Sequence, residues 1–167
     1  GDVTEKESMR EGMKGADMVF HNAGWYELGV SEESKRKMQA INVDGTKNLV
    51  NLAEFLGANF IYISTPMVFS GKKGNYTEND KTDPVNYYGK TKNEAEKIVI
   101  KYKKGLVLRA NPIGRRPLGA HPSFMQWFVD MASNNRSFSL FTDVVINPIS
   151  TTTLAFILDD IINNFTS

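Results

Sequence analysis

Three short, unbroken apolar runs constrain this chain most: Met18-Val19-Phe20-His21, Phe60-Ile61-Tyr62-Ile63 and Leu106-Val107-Leu108. Their residues do not alternate with polar ones, so each run reads as a strand that needs cover on both faces. Between them lie stretches of helical periodicity. Ser31 is placed to cap a long helix, with Glu32 and Glu33 at its positive end and Gly57 at its stop. A second helix starts near Asn86, carries Ala95, Ile98, Val99 and Tyr102 on one stripe, and closes at Lys103-Lys104-Gly105. Thr4-Glu5-Lys6-Glu7 reads as a capping box, followed by Met9, Met13 and a stop at Gly15. Ser123 caps a helix with Phe124, Trp127, Phe128 and Met131 on one stripe. Ser150 caps another with Leu154, Ile157, Leu158 and Ile161. Phe138, Leu140 and Phe141 suggest a short strand. Strands separated by helices imply an α/β fold, a doubly wound parallel sheet covered on both faces.

Composition excludes several function classes. The 167 residues hold no cysteine, which removes disulfides, thiolate metal sites and a cysteine nucleophile. Only His21 and His121 are available as imidazole ligands, so no metal site is expected. Twenty basic residues against nineteen acidic ones give a net charge of +1, and no nucleic-acid partner is expected. No apolar run approaches the roughly 20 residues of a membrane span. Gly1-Asp2-Val3-Thr4-Glu5-Lys6 is not a signal peptide. A cytoplasmic protein without a membrane partner is the expectation.

In parallel α/β sheets, ligands bind beyond the carboxyl ends of the strands. Polar residues stand at all three ends: His21-Asn22-Ala23-Gly24, Ser64-Thr65 and Arg109-Ala110-Asn111. Any one of these is equally an ordinary turn; three together favour a site. Tyr88 and Lys92, four apart on the helix from Asn86, share a face. A tyrosine can give a proton to a carbonyl oxygen, but its usual pKa of about 10 is high for work near neutrality. A lysine ammonium beside it favours the phenolate and lowers that pKa. A lone Tyr-x-x-x-Lys more often marks a solvated helix face. Thr65, at the end of a buried run, adds a hydroxyl for the same oxygen.

The order Asn22-Ala23-Gly24, Asn42-Val43-Asp44-Gly45-Thr46, Ile63-Ser64-Thr65 and Tyr88-x-x-x-Lys92 resembles the extended short-chain dehydrogenase/reductases. Within that branch, the stretch from Ser64 to Glu78 and Asn86-Tyr87-Tyr88-Gly89-Lys90-Thr91-Lys92 are similar to dTDP-4-dehydrorhamnose reductases. The resemblance implies a Rossmann-like sheet and an NAD(P)-dependent enzyme reducing a 4-keto nucleotide sugar, with NAD or NADP as cofactor. It implies Tyr88 as general acid/base, Lys92 as the group that lowers its pKa and bonds the nicotinamide ribose, and Thr65 on the substrate oxygen. Asn42 would support the active-site helix or relay protons. Asp2 and Val3 would line the adenine, and Asn22, Ala23, Gly24, Ser64 and Pro112 would also meet the cofactor. Asn111 would face substrate phosphates. Arg115 and Arg116 are candidates for the diphosphate or belong to a solvated basic loop. Trp25 and Tyr26 wall the substrate pocket or pack in the core. A homodimer through the helices at about 35–57 and 86–103 is also implied.

A nucleotide-sugar 4-epimerase or dehydratase uses the same residues. The segment Arg109 to Gly114 leans that way, while Gly24-Trp25-Tyr26-Glu27-Leu28-Gly29 is similar to dihydroflavonol-reductase-like proteins. The family's Gly-rich phosphate turn is absent from this sequence. The expectation is therefore an incomplete Rossmann unit over 1–120, carrying the Thr-Tyr-Lys set, and the beginning of a substrate lobe over 121–167. Such a chain reads as the middle of a longer enzyme, binding NAD(P) poorly alone and leaving the strand at 17–21 as an exposed edge. A truncated, non-catalytic binding module is the alternative of another class.

Overall fold

The computed structural model describes residues 1–27, 30–115 and 123–165. The chain forms two compact units, Gly1–Arg109 and Ala110–Ser167.

The first unit is built on a three-stranded parallel sheet in the order β1-β2-β3, with β1 at Met18–His21, β2 at Asn59–Ser64 and β3 at Gly105–Arg109. Register pairs His21 with Tyr62 and Ser64 with Arg109, so the carboxyl ends of all three strands lie on one side. β2 is central, and its Phe60, Ile61, Tyr62, Ile63 and Ser64 are all buried, as an unbroken run of β-branched and aromatic residues requires. Helix α1 (Lys6–Gly12) precedes the sheet, α2 (Glu32–Met38) and α3 (Gly45–Leu56) lead from β1 to β2, and α4 (Tyr87–Lys101) leads from β2 to β3. Leu49, Leu52 and Ala53 of α3 and Ala95 and Val99 of α4 close over Phe60 and Tyr62 to form the core. The Tyr102 hydroxyl donates to the Ala58 carbonyl at 2.7 Å and ties the end of α4 to the turn before β2.

The expected caps at Ser31 and Asn86 are present: each side chain accepts from the amide three residues on. Gly57 ends α3 in the left-handed conformation, φ 69°. Thr4 caps nothing. Its hydroxyl and amide both donate to the Asp2 carboxylate, at 2.8 and 2.9 Å, so α1 starts from Glu5 without a side-chain cap. The long helix expected between Ser31 and Gly57 is not uniform. A π turn over Gln39–Asp44 joins α2 to α3.

The second unit holds a two-stranded parallel sheet, β4 (Pro112–Ile113) with β5 (Ile149–Ser150), and helices α5 (Phe124–Ser133) and α6 (Thr151–Phe165). Ser123 and Gln126 form a reciprocal capping box, and Ser150 accepts from the Thr153 amide at 2.9 Å. The strand expected at Phe138–Phe141 does not form. Phe138 instead packs edge-on against Trp127 and Phe128, with ring centroids 5.7 and 5.3 Å away. Every buried residue among those described lies in the first unit. No helix among the described residues is long and apolar enough to cross a membrane.

Candidate active site

The site is built where β1 and β2 end and α4 begins. Strand β2 delivers Ser64 and Thr65, and the Thr65 hydroxyl oxygen accepts from the Met67 amide at 3.2 Å, capping a short turn over Pro66–Val68. That leaves the hydroxyl hydrogen able to donate outward. Helix α4 opens at Tyr87 on its Asn86 cap, which places Tyr88 and Lys92 on successive turns of one face. Gly89 lets α4 approach the turn: a Cβ there would meet the Met67 carbonyl carbon at 3.0 Å and Pro84 Cβ at 3.1 Å.

Lys92 is buried. Its ammonium donates to the Ile63 carbonyl at 2.7 Å and lies 4.0 Å from the centre of the Tyr62 ring. Burial pushes its pKa down to about 8, with the Glu96 carboxylate opposing the shift. Tyr88 is half-buried and meets the Tyr26 ring edge-on at 5.0 Å. Burial, and then Tyr26, push its pKa upward, opposite to the direction that the spacing suggests. The ammonium here is aimed at the Ile63 carbonyl, and it does not offset the desolvation of the phenol.

Asn42 sits in the π turn, a feature common at functional sites, and is buried. Its oxygen accepts from the Trp25 amide at 2.7 Å, and its nitrogen donates to the Trp25 carbonyl at 3.0 Å and to Thr91 Oγ1 at 2.9 Å. Thr91 in turn donates to the Tyr88 carbonyl at 2.8 Å. Both amide hydrogens of Asn42 therefore brace the loop after β1 against α4. Asn22, Ala23 and Gly24 form that exposed loop. A Cβ on Gly24 would lie 3.5 Å from Asn42 Oδ1 and 4.0 Å from Lys92 Nζ, so the bare backbone here runs close to both. Trp25 and Tyr26 are exposed, and Lys37 covers the Trp25 indole at 3.5 Å.

Two buried hydroxyls, Ser64 Oγ and Tyr62 OH, have no partner of hydrogen-bond geometry. The orphaned Ser64 Oγ lies one residue from Thr65 and, with the Gly24 backbone near Lys92, fits a polar cofactor at this strand end. Asp2 is exposed with its carboxylate on Thr4, and Val3 is half-buried, its carbonyl accepting from Asn48 at 3.2 Å. Asn111, Pro112 and Arg115 belong to the second unit. There the Asn111 carbonyl accepts from the Ile149 amide at 3.1 Å, Pro112 starts β4, and Arg115 is exposed. Arg116 lies outside the described residues.

Sequence reasoning assigned no role to Thr46, Thr91 or Glu96, and placed His21 among the polar strand-end residues. His21 is not a strand-end ligand. It is buried between Phe60 and Tyr62, with Nε2 2.9 Å from Thr46 Oγ1. Thr46 gives its own hydrogen to the Asn42 carbonyl at 2.6 Å, so His21 donates from Nε2. Arg109, one of the polar strand-end residues that together favoured a site, is held by the buried Glu96. The signal for Glu96 is its place four residues after Lys92 on an otherwise apolar stripe.

Comparison with known proteins agrees with this architecture. The bovine (Bos taurus) protein named methionine adenosyltransferase 2 subunit beta is 36% identical over 96 residues, covering 58% of this chain and 29% of that protein. A dTDP-4-dehydrorhamnose reductase of Mycolicibacterium smegmatis is 31% identical over 101 residues, covering 59% of this chain and 31% of the relative. The matched stretch covers less than a third of the length of these curated relatives. A crystal structure of dTDP-4-dehydrorhamnose reductase from Bacillus anthracis in complex with NADP superposes with a TM-score of 0.87 at 21% identity, covering 98% of this chain and 59% of that one. The expected Rossmann-like fold is therefore observed. The profile of the RmlD substrate binding domain matches residues 1–167, and the chain belongs to that family.

Proposed function

We propose that this chain carries the catalytic centre of an NAD(P)-dependent oxidoreductase that reduces a 4-keto nucleotide sugar. The observation that supports the reading is that the helix carrying Tyr88 and Lys92 starts against the strand end that carries Thr65. Lys92 is buried on Ile63, Gly89 is seated on the Met67 turn, and Asn42 braces the helix. Likeness to dTDP-4-dehydrorhamnose reductases supports the substrate class.

When bound, the nicotinamide supplies the hydride. The residues of this chain do the rest. Thr65 donates its hydroxyl hydrogen to the sugar carbonyl oxygen and fixes its position. Tyr88 gives that oxygen its proton as negative charge builds there. A phenol whose pKa is raised is held protonated at neutral pH, the state from which a reduction starts. Lys92 has three donors; one goes to Ile63, and the other two would hold the cofactor ribose and favour the phenolate once the proton has left. Ser64 Oγ and the Gly24 backbone would line the cofactor. Asn42 holds the geometry.

A second reading, a binding subunit without turnover, is favoured by the likeness to a protein named as a subunit of an adenosyltransferase. The test is oxidation of NADPH or NADH by the intact natural protein with a dTDP-4-keto-6-deoxy sugar. Turnover that falls about 10²- to 10⁴-fold in Tyr88→Phe, with cofactor binding kept, supports the reductase. Cofactor binding without turnover in the natural protein overturns it.

A further inference from the structure

Among the described residues, only two buried side chains carry a formal charge near neutral pH, Lys92 and Glu96. They stand four apart on α4, on one face and successive turns. The direct contacts of Lys92 are a neutral carbonyl, Ile63, at 2.7 Å and a neutral ring, Tyr62, at 4.0 Å. An ammonium held only by neutral groups away from water is costly. Among the described residues, Glu96 is the one buried carboxylate. That carboxylate is shared: Arg109 at the end of β3 donates to it from Nε at 3.0 and 3.2 Å and from Nη2 at 2.7 Å. Arg109 also lies 4.9 Å from the centre of the Phe69 ring, which fixes its guanidinium in place.

We propose that Glu96 is a positioning residue that holds Lys92 in its ammonium form, as a buried counter-charge whose strength Arg109 limits. The other groups facing Lys92 add no negative charge. From β1, His21 is neutral, its pKa pushed down to about 4 by burial and then by Lys92. From β2, Tyr62 is pushed upward by burial and stays neutral. From the π turn and α3, Asn42 and Thr46 are uncharged, and on α4 itself Tyr88 is a protonated phenol. The direction of the Glu96 effect on Lys92, upward against burial, agrees. The consequence for turnover rests on the reductase reading; the charge link itself does not.

The experiment is an NMR titration of the lysine side-chain carbons next to nitrogen in the intact protein, with Lys92 assigned by its loss in Lys92→Met. The natural protein gives a Lys92 midpoint near 8. Glu96→Gln, which keeps the shape and a bond to Arg109, lowers that midpoint by about one pH unit, the lower end of what a neighbouring charge does. Arg109→Gln, which frees the carboxylate, raises it. A purely structural tie between α4 and β3 moves both variants the same way or neither, and either result overturns the proposal. If Glu96→Gln does not fold, the double variant with Arg109→Gln replaces it, and its midpoint must fall below that of Arg109→Gln alone. No turnover is needed, so failure of the reductase reading leaves this result standing.

Discussion

A Cβ built on Gly89 would overlap the carbonyl oxygen of Met67, and the obstacle is backbone rather than a movable side chain. In a free helix, alanine is better than glycine by about 1 kcal/mol. Here the overlap wins. Gly89→Ala pushes the first turn of α4 away from the Thr65 turn and lowers stability by about 1–3 kcal/mol, the usual range for overpacking. Chemical denaturation checks the loss. On the proposed reductase reading, turnover of the intact protein falls with it, because that reading needs Tyr88 and Thr65 to share one oxygen.

His21 predicts a sensitivity to acid. Its folded pKa, about 4, lies below the ordinary 6.5, so between these values the unfolded chain binds a proton that the folded one does not. Stability therefore falls as pH drops from 6.5 toward 4, by up to about 3 kcal/mol from this one group. Above pH 6.5 the group contributes no slope. Denaturation midpoints across this window should flatten in His21→Gln, and an unchanged slope in that variant contradicts the assignment.

Tyr62 allows a sharper test of packing against polarity. Its hydroxyl is buried with no partner of good hydrogen-bond geometry, and its neighbour, the Thr46 hydroxyl, is already engaged by His21 and Asn42. The ring does the structural work, under the Lys92 ammonium and 5.3 Å from His21. Tyr62→Phe keeps the ring and removes the orphan, so stability holds or rises by up to about 1 kcal/mol. A thermal melt that drops by several degrees would show that the hydroxyl has a partner.

Much of the first unit is legible in the sequence because its signals are local. Phe60 to Ile63 can only be a covered strand, and Ser31, Asn86, Ser123 and Ser150 cap helices through an oxygen that reaches three residues ahead. Thr4 fails the same rule because Asp2, two residues earlier, takes its hydroxyl. Phe138-Ser139-Leu140 alternates like a strand, yet Phe138 is drawn into an aromatic cluster with Trp127 and Phe128. The Tyr88–Lys92 spacing reads correctly as one helix face. The pKa of Tyr88 does not, since it follows from burial and from where the ammonium points, and no spacing encodes either. Glu96 looks like a solvated helix residue until β3 brings Arg109, thirteen residues away, onto it.

The π turn over Gln39–Asp44 sets the phase of everything after it. It fits an extra residue into one turn, so α3 leaves it rotated relative to a continuing α-helix by about 100°, one residue's share of a turn. A regular helix through the same residues would turn Leu49, Leu52 and Ala53 off the sheet they now cover, whereas deleting a single residue from the turn lets the helix run on with those three still in place. The extra residue therefore serves the loop after β1 rather than the core, because the bulge it makes is where Asn42 sits.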